Sequence, residues 1–199
     1  MTTVIERSRP ARDNPFRISR VEALRFRLSD AGWRRLLDRW ATHDQRGALV
    51  GPHGSGKTTL MTEMARRSAD GRPIRELSFS TEKHSFSTAD RRTLDSLGAD
   101  DLVTIDGVEQ LTPWTRWRLG RALRTAGAVL VTSHRPTFLP TIHEHRTDPE
   151  LLIELVAELA PDLIDRLARE LPSLHARLDG DVRRCFFALY DRWAEDAIR

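Results

Sequence analysis

One segment specifies the fold of this chain: Gly51-Pro52-His53-Gly54-Ser55-Gly56-Lys57-Thr58, which fits the pattern G-x-x-x-x-G-K-[ST] in full. An apolar strand pattern, Ala48–Val50, precedes this segment, and a helical pattern over Lys57–Ser68 follows it. In such a segment the glycines let backbone N–H groups surround an anion, and the positive end of the helix faces the same anion. The pattern therefore predicts a strand, a phosphate-binding loop (P-loop) and a helix.

The residues of the P-loop have distinct predicted roles. The Lys57 ammonium reaches the β- and γ-phosphates of a nucleotide, and the Thr58 hydroxyl ligates Mg²⁺. Only Lys57 and Lys83 are lysines among the 32 basic residues, so one of the two lysines stands where this chemistry requires an ammonium. The predicted nucleotide-binding residues are Gly51, Pro52, His53, Gly54, Ser55, Gly56, Lys57, Thr58 and Thr59.

A carboxylate is expected on the metal side of the nucleotide. The apolar run Leu102–Ile105 ends at Asp106, which is typical of a strand that carries a magnesium-binding carboxylate. We predict that Thr58 and Asp106 hold Mg²⁺, with Asp106 acting through water. The alternative for Asp106 is a polar residue in a strand-to-helix turn.

Strand and helix patterns alternate along the chain, which predicts an α/β fold with a parallel sheet covered by helices. The strand patterns cover Ala48–Val50, Ile74–Phe79, Leu102–Ile105, Ala128–Thr132 and Ile142–His145. The helical patterns between them cover Lys57–Ser68, Thr88–Leu97 and Pro113–Thr125. Val21–Leu28 also alternates, which predicts a strand or extended segment, and Asp30 is the expected cap of a helix over Ala31–Thr42.

The character of the chain changes at Asp148-Pro149, a cap followed by a first-turn proline. Helical patterns then cover 149–159 and 161–170, and an amphipathic stripe runs from Val182 to Trp193. We therefore expect three parts: an N-terminal arm over residues 1–20, the P-loop core over residues 21–147, and a small helical lid over residues 148–199.

The composition excludes several classes of protein. With 199 residues, 39% of them hydrophobic and 31% charged, the chain is neither disordered nor collagen-like. No apolar stretch is long enough to cross a bilayer, and Met1–Arg20 lacks the apolar stretch of a signal peptide. The single cysteine, Cys185, excludes an internal disulfide, so we expect a cytoplasmic protein. The net charge of +3 is too small to argue for nucleic acid as a partner.

The two motifs, with a strand pattern between them, resemble the P-loop NTPases of the additional-strand class, which includes the AAA-like ATPases. Asn14-Pro15-Phe16 and Gly180-Asp181-Val182-Arg183-Arg184 resemble features of the bacterial ExeA-type and transposition-associated ATPases. The resemblance implies ATP and Mg²⁺ as cofactors, ATP hydrolysis coupled to a protein partner, and a capacity to form homo-oligomers. It also implies that Arg183 or Arg184 touches the nucleotide, although a solvated polar face of the helix is favoured for both.

The resemblance also assigns candidate catalytic residues. A Glu often follows the metal-side Asp in these families, but here Gly107 takes that place and the next acid is Glu109. Glu109 is a candidate for positioning the attacking water, or else a first-turn helix acid favoured by the helix dipole. The strand tip Thr132-Ser133-His134 supplies candidate γ-phosphate sensors, of which His134 is favoured, the alternative being polar residues that bond into a loop.

The sequence leaves alternatives open for the nucleotide that is bound and for the reaction. No L-S-G-G-Q signature occurs between Lys57 and Asp106, so a two-site sandwich dimer of the ABC type is not expected. The chain has no N-K-x-D motif that reads guanine, because Lys83 stands in Thr-Glu-Lys-His, so ATP is favoured over GTP. We predict a slow Mg²⁺-dependent ATPase, and the alternatives are a small-molecule kinase and a nucleotide-dependent switch with little turnover. The arginines over Arg116–Arg124 suit a kinase lid or an arginine finger, but a solvated face is favoured.

Two further pairs of side chains attract attention. Trp114 and Trp117 are three residues apart, and we expect them to pack the helix rather than to stack on bases. His143 and His145 share a face of their strand, but two imidazoles alone do not make a metal site, so we expect a structural or surface role for them.

Overall fold

The computed structural model describes residues 10–24, 26 and 28–195. Its contacts divide the chain into two units. The sheet unit comprises the described residues 26, 28–52 and 56–145, and the helical unit comprises the described residues 10–24, 53–55 and 146–195. No helix in these described ranges is long and apolar enough to cross a membrane.

The sheet unit is built on a five-stranded parallel sheet with the strand order β2-β3-β4-β1-β5. Its strands are β1 (Arg46–Val50), β2 (Ile74–Ser78), β3 (Leu102–Asp106), β4 (Ala128–Ser133) and β5 (Thr141–Glu144). The α/β fold with a parallel sheet, predicted from alternating patterns, is confirmed. β4 lies between β1 and β3, so the strand before the P-loop and the strand that ends at Asp106 are not neighbours.

Helices cover the sheet, and the described residues of the helical unit form helices and loops but no strand. They are α1 (Ile18–Val21), α2 (Asp30–Ala41), α3 (Lys57–Ser68), α4 (Thr88–Asp95), α5 (Pro113–Ala122), α6 (Pro149–Leu159), α7 (Ile164–Leu167), α8 (Leu171–Arg177) and α9 (Val182–Ala194). Short 3-10 turns occur at Ala11–Asp13, Val108–Gln110, Leu123–Thr125 and Pro161–Leu163.

The sheet is covered on both faces because successive strand residues point to opposite sides. On one face Ile105 packs with Leu119 of α5, in a core that α4 also enters. On the other face Leu49 packs with Leu60 of α3 and Trp40 of α2. The strand residues are apolar on both sides, as a parallel sheet between two helical layers requires.

Val21–Leu28, predicted as a strand or extended segment, is not part of the sheet. Arg25 and Arg27 lie outside the described residues, and the described positions around them belong to no strand. Leu24 packs against the core of the helical unit, whereas Phe26 packs against a core of the sheet unit. The apolar side chains that alternate in the sequence therefore do not share one face of a strand.

Two helix predictions need correction. Ser29, and not Asp30, caps α2, because the Ser29 hydroxyl accepts a hydrogen bond from the Gly32 N–H at 3.1 Å. Asp30 becomes the first helical residue, where the helix dipole favours an acid. The helix predicted over 161–170 consists of the 3-10 turn Pro161–Leu163 followed by the short helix α7.

The segment Asn14–Phe16 belongs to the core of the helical unit. The Asn14 side chain donates to the carbonyl of Tyr190 at 3.0 Å and accepts from the N–H of Phe16 at 2.9 Å. The Phe16 ring is buried and lies 6.4 Å from the ring of Phe186 in α9. Cys185 is buried in the same core, and burial raises the pKa of its thiol to about 11, so the thiol is protonated at neutral pH.

Phe16→Ala should lower the free energy of unfolding by about 3–5 kcal/mol, because it leaves a cavity in the core of the helical unit. Phe187→Ala removes a ring that is 44% exposed on α9 and should cost less than about 1 kcal/mol. Urea unfolding followed by circular dichroism measures both variants. Equal losses would show that Phe16 does not anchor the N-terminal segment.

Candidate functional site

The P-loop joins the C-terminal end of β1 to the first residue of α3. β1 pairs in parallel with β4 on one side and β5 on the other, so the loop lies at the carboxyl edge of the sheet, where α/β proteins bind ligands. Gly54 and Gly56 have φ angles of 65° and 85°, a region that L side chains rarely adopt, and Gly56 is the N-cap of α3.

The predicted nucleotide-binding residues differ in exposure. The buried members are Gly51, Ser55 and Lys57, and the exposed members are Pro52, His53, Thr58 and Thr59. The Lys57 ammonium donates a hydrogen bond to the carbonyl of Pro52 at 2.5 Å. A buried cation needs polar partners, and this contact ties the ammonium to the loop that precedes it.

The Asp106 carboxylate, at the end of β3, is held by two hydroxyl groups. The Thr58 hydroxyl lies 3.0 and 3.1 Å from its two oxygens, and the Thr132 hydroxyl donates to Oδ1. The Thr132 hydroxyl also accepts from the N–H of Gly107 at 3.0 Å. The structure therefore brings together Thr58 and Asp106, the two residues predicted to hold a metal ion.

Sequence reasoning missed the contact between Thr132 and Asp106, although it named Thr132 as a candidate sensor. The sequence carries no signal for this contact, because it depends on β4 being the neighbour of β3 in the sheet. For Ser133 the contact agrees with the alternative prediction, a polar residue that bonds into the following loop. Its hydroxyl accepts a hydrogen bond from the N–H of Arg135.

Gly107 occupies the position where the resembling ATPases often carry Glu. Its φ is 76°, and a Cβ atom at this position would lie 2.5 Å from the carbonyl oxygen of Phe79. Side chains do not tolerate either condition without strain. The backbone after β2 therefore excludes a glutamate from position 107.

The next acid, Glu109, lies beside His134. The 3-10 turn Val108–Gln110 places Glu109 Oε1 at 3.4 Å from His134 Nδ1, and both side chains are largely buried, at 19% and 24% exposure. Glu109 Oε2 is buried and has no hydrogen-bond partner among the described residues. The two predicted catalytic residues are thus in contact, and Glu109 Oε2 has a hydrogen-bonding capacity that no described group uses.

The predicted arginine candidates have other contacts. Arg116 donates to the backbone carbonyls of Glu109 and Leu111 at 3.3 and 3.0 Å, so it supports the turn that carries Glu109. Arg183 and Arg184 are exposed on α9, and the Arg183 guanidinium lies 5.9 Å from the ring of Phe187. The positions of Arg183 and Arg184 agree with solvated charges on a helix, whereas Arg116 is held by the backbone.

The expectation that Trp114 and Trp117 pack α5 is wrong, because they are 66% and 52% exposed. The buried side of this segment is formed by Leu119 and Leu123, on the opposite side of the helical turn. The two tryptophans contribute nothing to the core that α5 covers.

His143 lies in β5, and His145 follows directly after the strand. The rings of His143 and His145 lie 4.6 Å apart, with the Phe26 ring beside both. Burial, with a smaller contribution from the charge of Arg39, lowers the pKa of His143. Across the described part of the chain, no group of three or more His, Cys, Asp or Glu side chains could hold a metal ion.

Comparison with known proteins adds a structural likeness. No protein-family model and no curated protein matches the sequence. The fold is similar to that of Cdc6p from Pyrobaculum aerophilum, with a TM-score of 0.57 and 18% identity over 93% of this chain and 65% of that chain. A point mutant of RuvB from Thermotoga maritima has a TM-score of 0.48 and 14% identity, over 81% of this chain and 70% of that chain. The chain therefore spans slightly less than two thirds of the Cdc6p structure, with which it shares the α/β fold.

A left-handed backbone conformation costs an alanine about 1–2 kcal/mol. Gly107→Ala should lower the free energy of unfolding by more than this amount. The added Cβ atom would also clash with the Phe79 carbonyl oxygen, and such overpacking lowers the free energy of unfolding by about 1–3 kcal/mol more. Gly71→Ala is the matched control, because Gly71 has a φ of 81° but no described atom within 4 Å of a Cβ. Urea unfolding of both variants tests the difference, and equal losses would remove the steric explanation for Gly107.

Proposed function

We propose that this protein is a P-loop ATPase of the AAA-like class that binds ATP with Mg²⁺ and hydrolyses it slowly. The observation that carries the proposal is the contact of Thr58 with Asp106 at the carboxyl edge of a parallel sheet, directly after a complete P-loop motif. The shared fold with Cdc6p supports the class. The closer resemblance to ExeA-type and transposition-associated ATPases rests on the sequence motifs.

The residues present fit a magnesium ion. Mg²⁺ prefers oxygen ligands and is usually held by one or two protein side chains together with phosphate oxygens and water. Thr58 and Asp106 offer a hydroxyl and a carboxylate at hydrogen-bond distance from each other, and the described residues offer no larger metal-binding cluster near them. When bound, the ion supplies positive charge that offsets the charge of the phosphates.

The contacts of the two lysines support binding of ATP. Lys57 provides the ammonium of the P-loop, where a phosphate oxygen is a stronger partner than the Pro52 carbonyl. The Lys83 ammonium instead bonds Asp90 at 2.9 Å and lies 5.3 Å from the Phe79 ring. The contact of Lys83 with the first turn of α4 supports ATP over GTP, because the second lysine of the chain already has a partner outside the P-loop.

Glu109 and His134 are the proposed catalytic pair. The free Oε2 of Glu109 accepts a hydrogen bond from the attacking water, and His134 orients the carboxylate and senses the γ-phosphate. Because the backbone excludes an acid at position 107, Glu109 must act from three residues beyond Asp106. The same observation favours a second candidate function, a nucleotide-dependent switch with little turnover.

The process that ATP hydrolysis drives is proposed from the resemblance to the AAA-like ATPases. We propose that the C-terminal part, residues 148–199, acts as a helical lid and that the nucleotide state is passed to a protein partner. A homo-oligomer is compatible with this proposal, because AAA-like ATPases often complete their function between copies.

Lys57→Ala should weaken binding of a fluorescent ATP analogue by about 100-fold or more, because it removes the cation that faces the phosphates. Lys83→Ala removes the other lysine of the chain and should leave the affinity unchanged. A fluorescence titration in the presence of Mg²⁺ compares both with the wild type. If Lys57→Ala binds as tightly as the wild type, the P-loop assignment is wrong.

Glu109→Gln should slow phosphate release from ATP by about 100-fold and leave ATP affinity unchanged, because the amide is a poor base for the attacking water. Glu76→Gln changes an exposed acid on β2 and serves as the control. Phosphate is measured without any added acceptor, which also separates an ATPase from a kinase. Tight ATP binding without phosphate release by the wild type would favour the switch.

A further inference from the structure

An exposed row of planar groups lies along α5. The rings of Trp114 and Trp117 are stacked with centroids 4.9 Å apart and planes inclined by 19°. The guanidinium of Arg121 lies 5.3 Å from the Trp117 ring. These residues stand at i, i+3 and i+7, so the row extends about 10 Å along the helix.

A third ring joins this face of the sheet unit. Phe138, in the loop between β4 and β5, is 43% exposed, and its ring would lie 3.7 Å from a Cβ atom at Gly120 of α5. We call Trp114, Trp117 and Phe138 the aromatic surface. Gly120 is three residues after Trp117, so Phe138 lies about one helical turn from that ring. Large exposed rings grouped on a surface are typical of a binding site.

The charged side chains of α5 and of the turn that follows it have one sign. Residues 113–125 contain four arginines and no acid. Arg116 is engaged by backbone carbonyls, whereas Arg118, Arg121 and Arg124 are exposed. A partner that matches this surface therefore combines repeated negative charge with flat rings that can stack.

We propose that the aromatic surface binds single-stranded nucleic acid. Bases stack on Trp114 and Trp117, and Arg118, Arg121 and Arg124 contact phosphates. A single strand is required because the faces of bases in a duplex are already stacked on one another. An acidic protein would satisfy the charges but offers fewer planar groups to a row of stacked tryptophans. The proposal uses none of the residues assigned to ATP and stands without that assignment.

Tryptophan fluorescence reports directly on this surface. Trp33, Trp40 and Trp193 are 5%, 3% and 5% exposed, so the two exposed tryptophans of the chain are those of the aromatic surface. A thymidine oligonucleotide titrated into the full chain at low salt should quench this fluorescence. An abasic oligonucleotide of the same length carries the phosphates without bases, and it should bind more weakly and quench little.

The paired variant Trp114→Ala/Trp117→Ala should weaken binding of a fluorescein-labelled thymidine oligonucleotide by about tenfold or more in fluorescence anisotropy. Phe187→Ala, which removes an exposed ring beside an arginine on α9, should bind like the wild type. Because both tryptophans are exposed, the urea midpoint of the paired variant should match that of the wild type, which excludes unfolding as the cause. Equal affinity for the abasic strand, an unchanged affinity of the paired variant, or no binding of the thymidine strand would overturn the proposal, the last result leaving a protein as the partner.

Discussion

The Asp106 carboxylate and the two hydroxyl groups that hold it organise the carboxyl edge of the sheet. Thr58 approaches from the first turn of α3 and Thr132 from β4, so the carboxylate joins elements that are distant in the sequence. Hydrogen bonds to a charged acceptor are stronger than those between neutral groups. Because Thr58 directly follows Lys57, the same contact fixes the end of the P-loop relative to β3.

A second constraint, the space beside the Phe79 carbonyl, shapes the chemistry next to this carboxylate. Gly107 fills a position that admits no Cβ, and its N–H is bonded to the Thr132 hydroxyl. The chain then makes a 3-10 turn that places Glu109 against His134. Position 107 in this backbone therefore does not admit the side chain that the resembling families often carry there, and the next acid in the sequence is Glu109.

Sequence patterns predicted most of the fold because strands, turns and helix caps depend on interactions between residues that are close in the chain. The P-loop motif, the buried strands β1, β3 and β4, and the capped helices α6 and α9 all depend on residues close together in the chain. The patterns were misleading for a strand over Val21–Leu28 and for the tryptophans of α5. In both cases the period of the apolar residues was read correctly, but the period does not reveal which neighbour, if any, covers a face.

Residue types at a fixed spacing were sufficient to predict the strand–loop–helix unit, the parallel α/β fold, and the candidates Lys57, Thr58 and Asp106. The packing of distant segments was needed to show that Thr132 holds Asp106, that Glu109 meets His134, and that the tryptophans of α5 face outward. Each of these facts depends on which strands are neighbours and which helix face is buried. Such long-range packing is the outcome of the whole chain, and no short window of sequence records it.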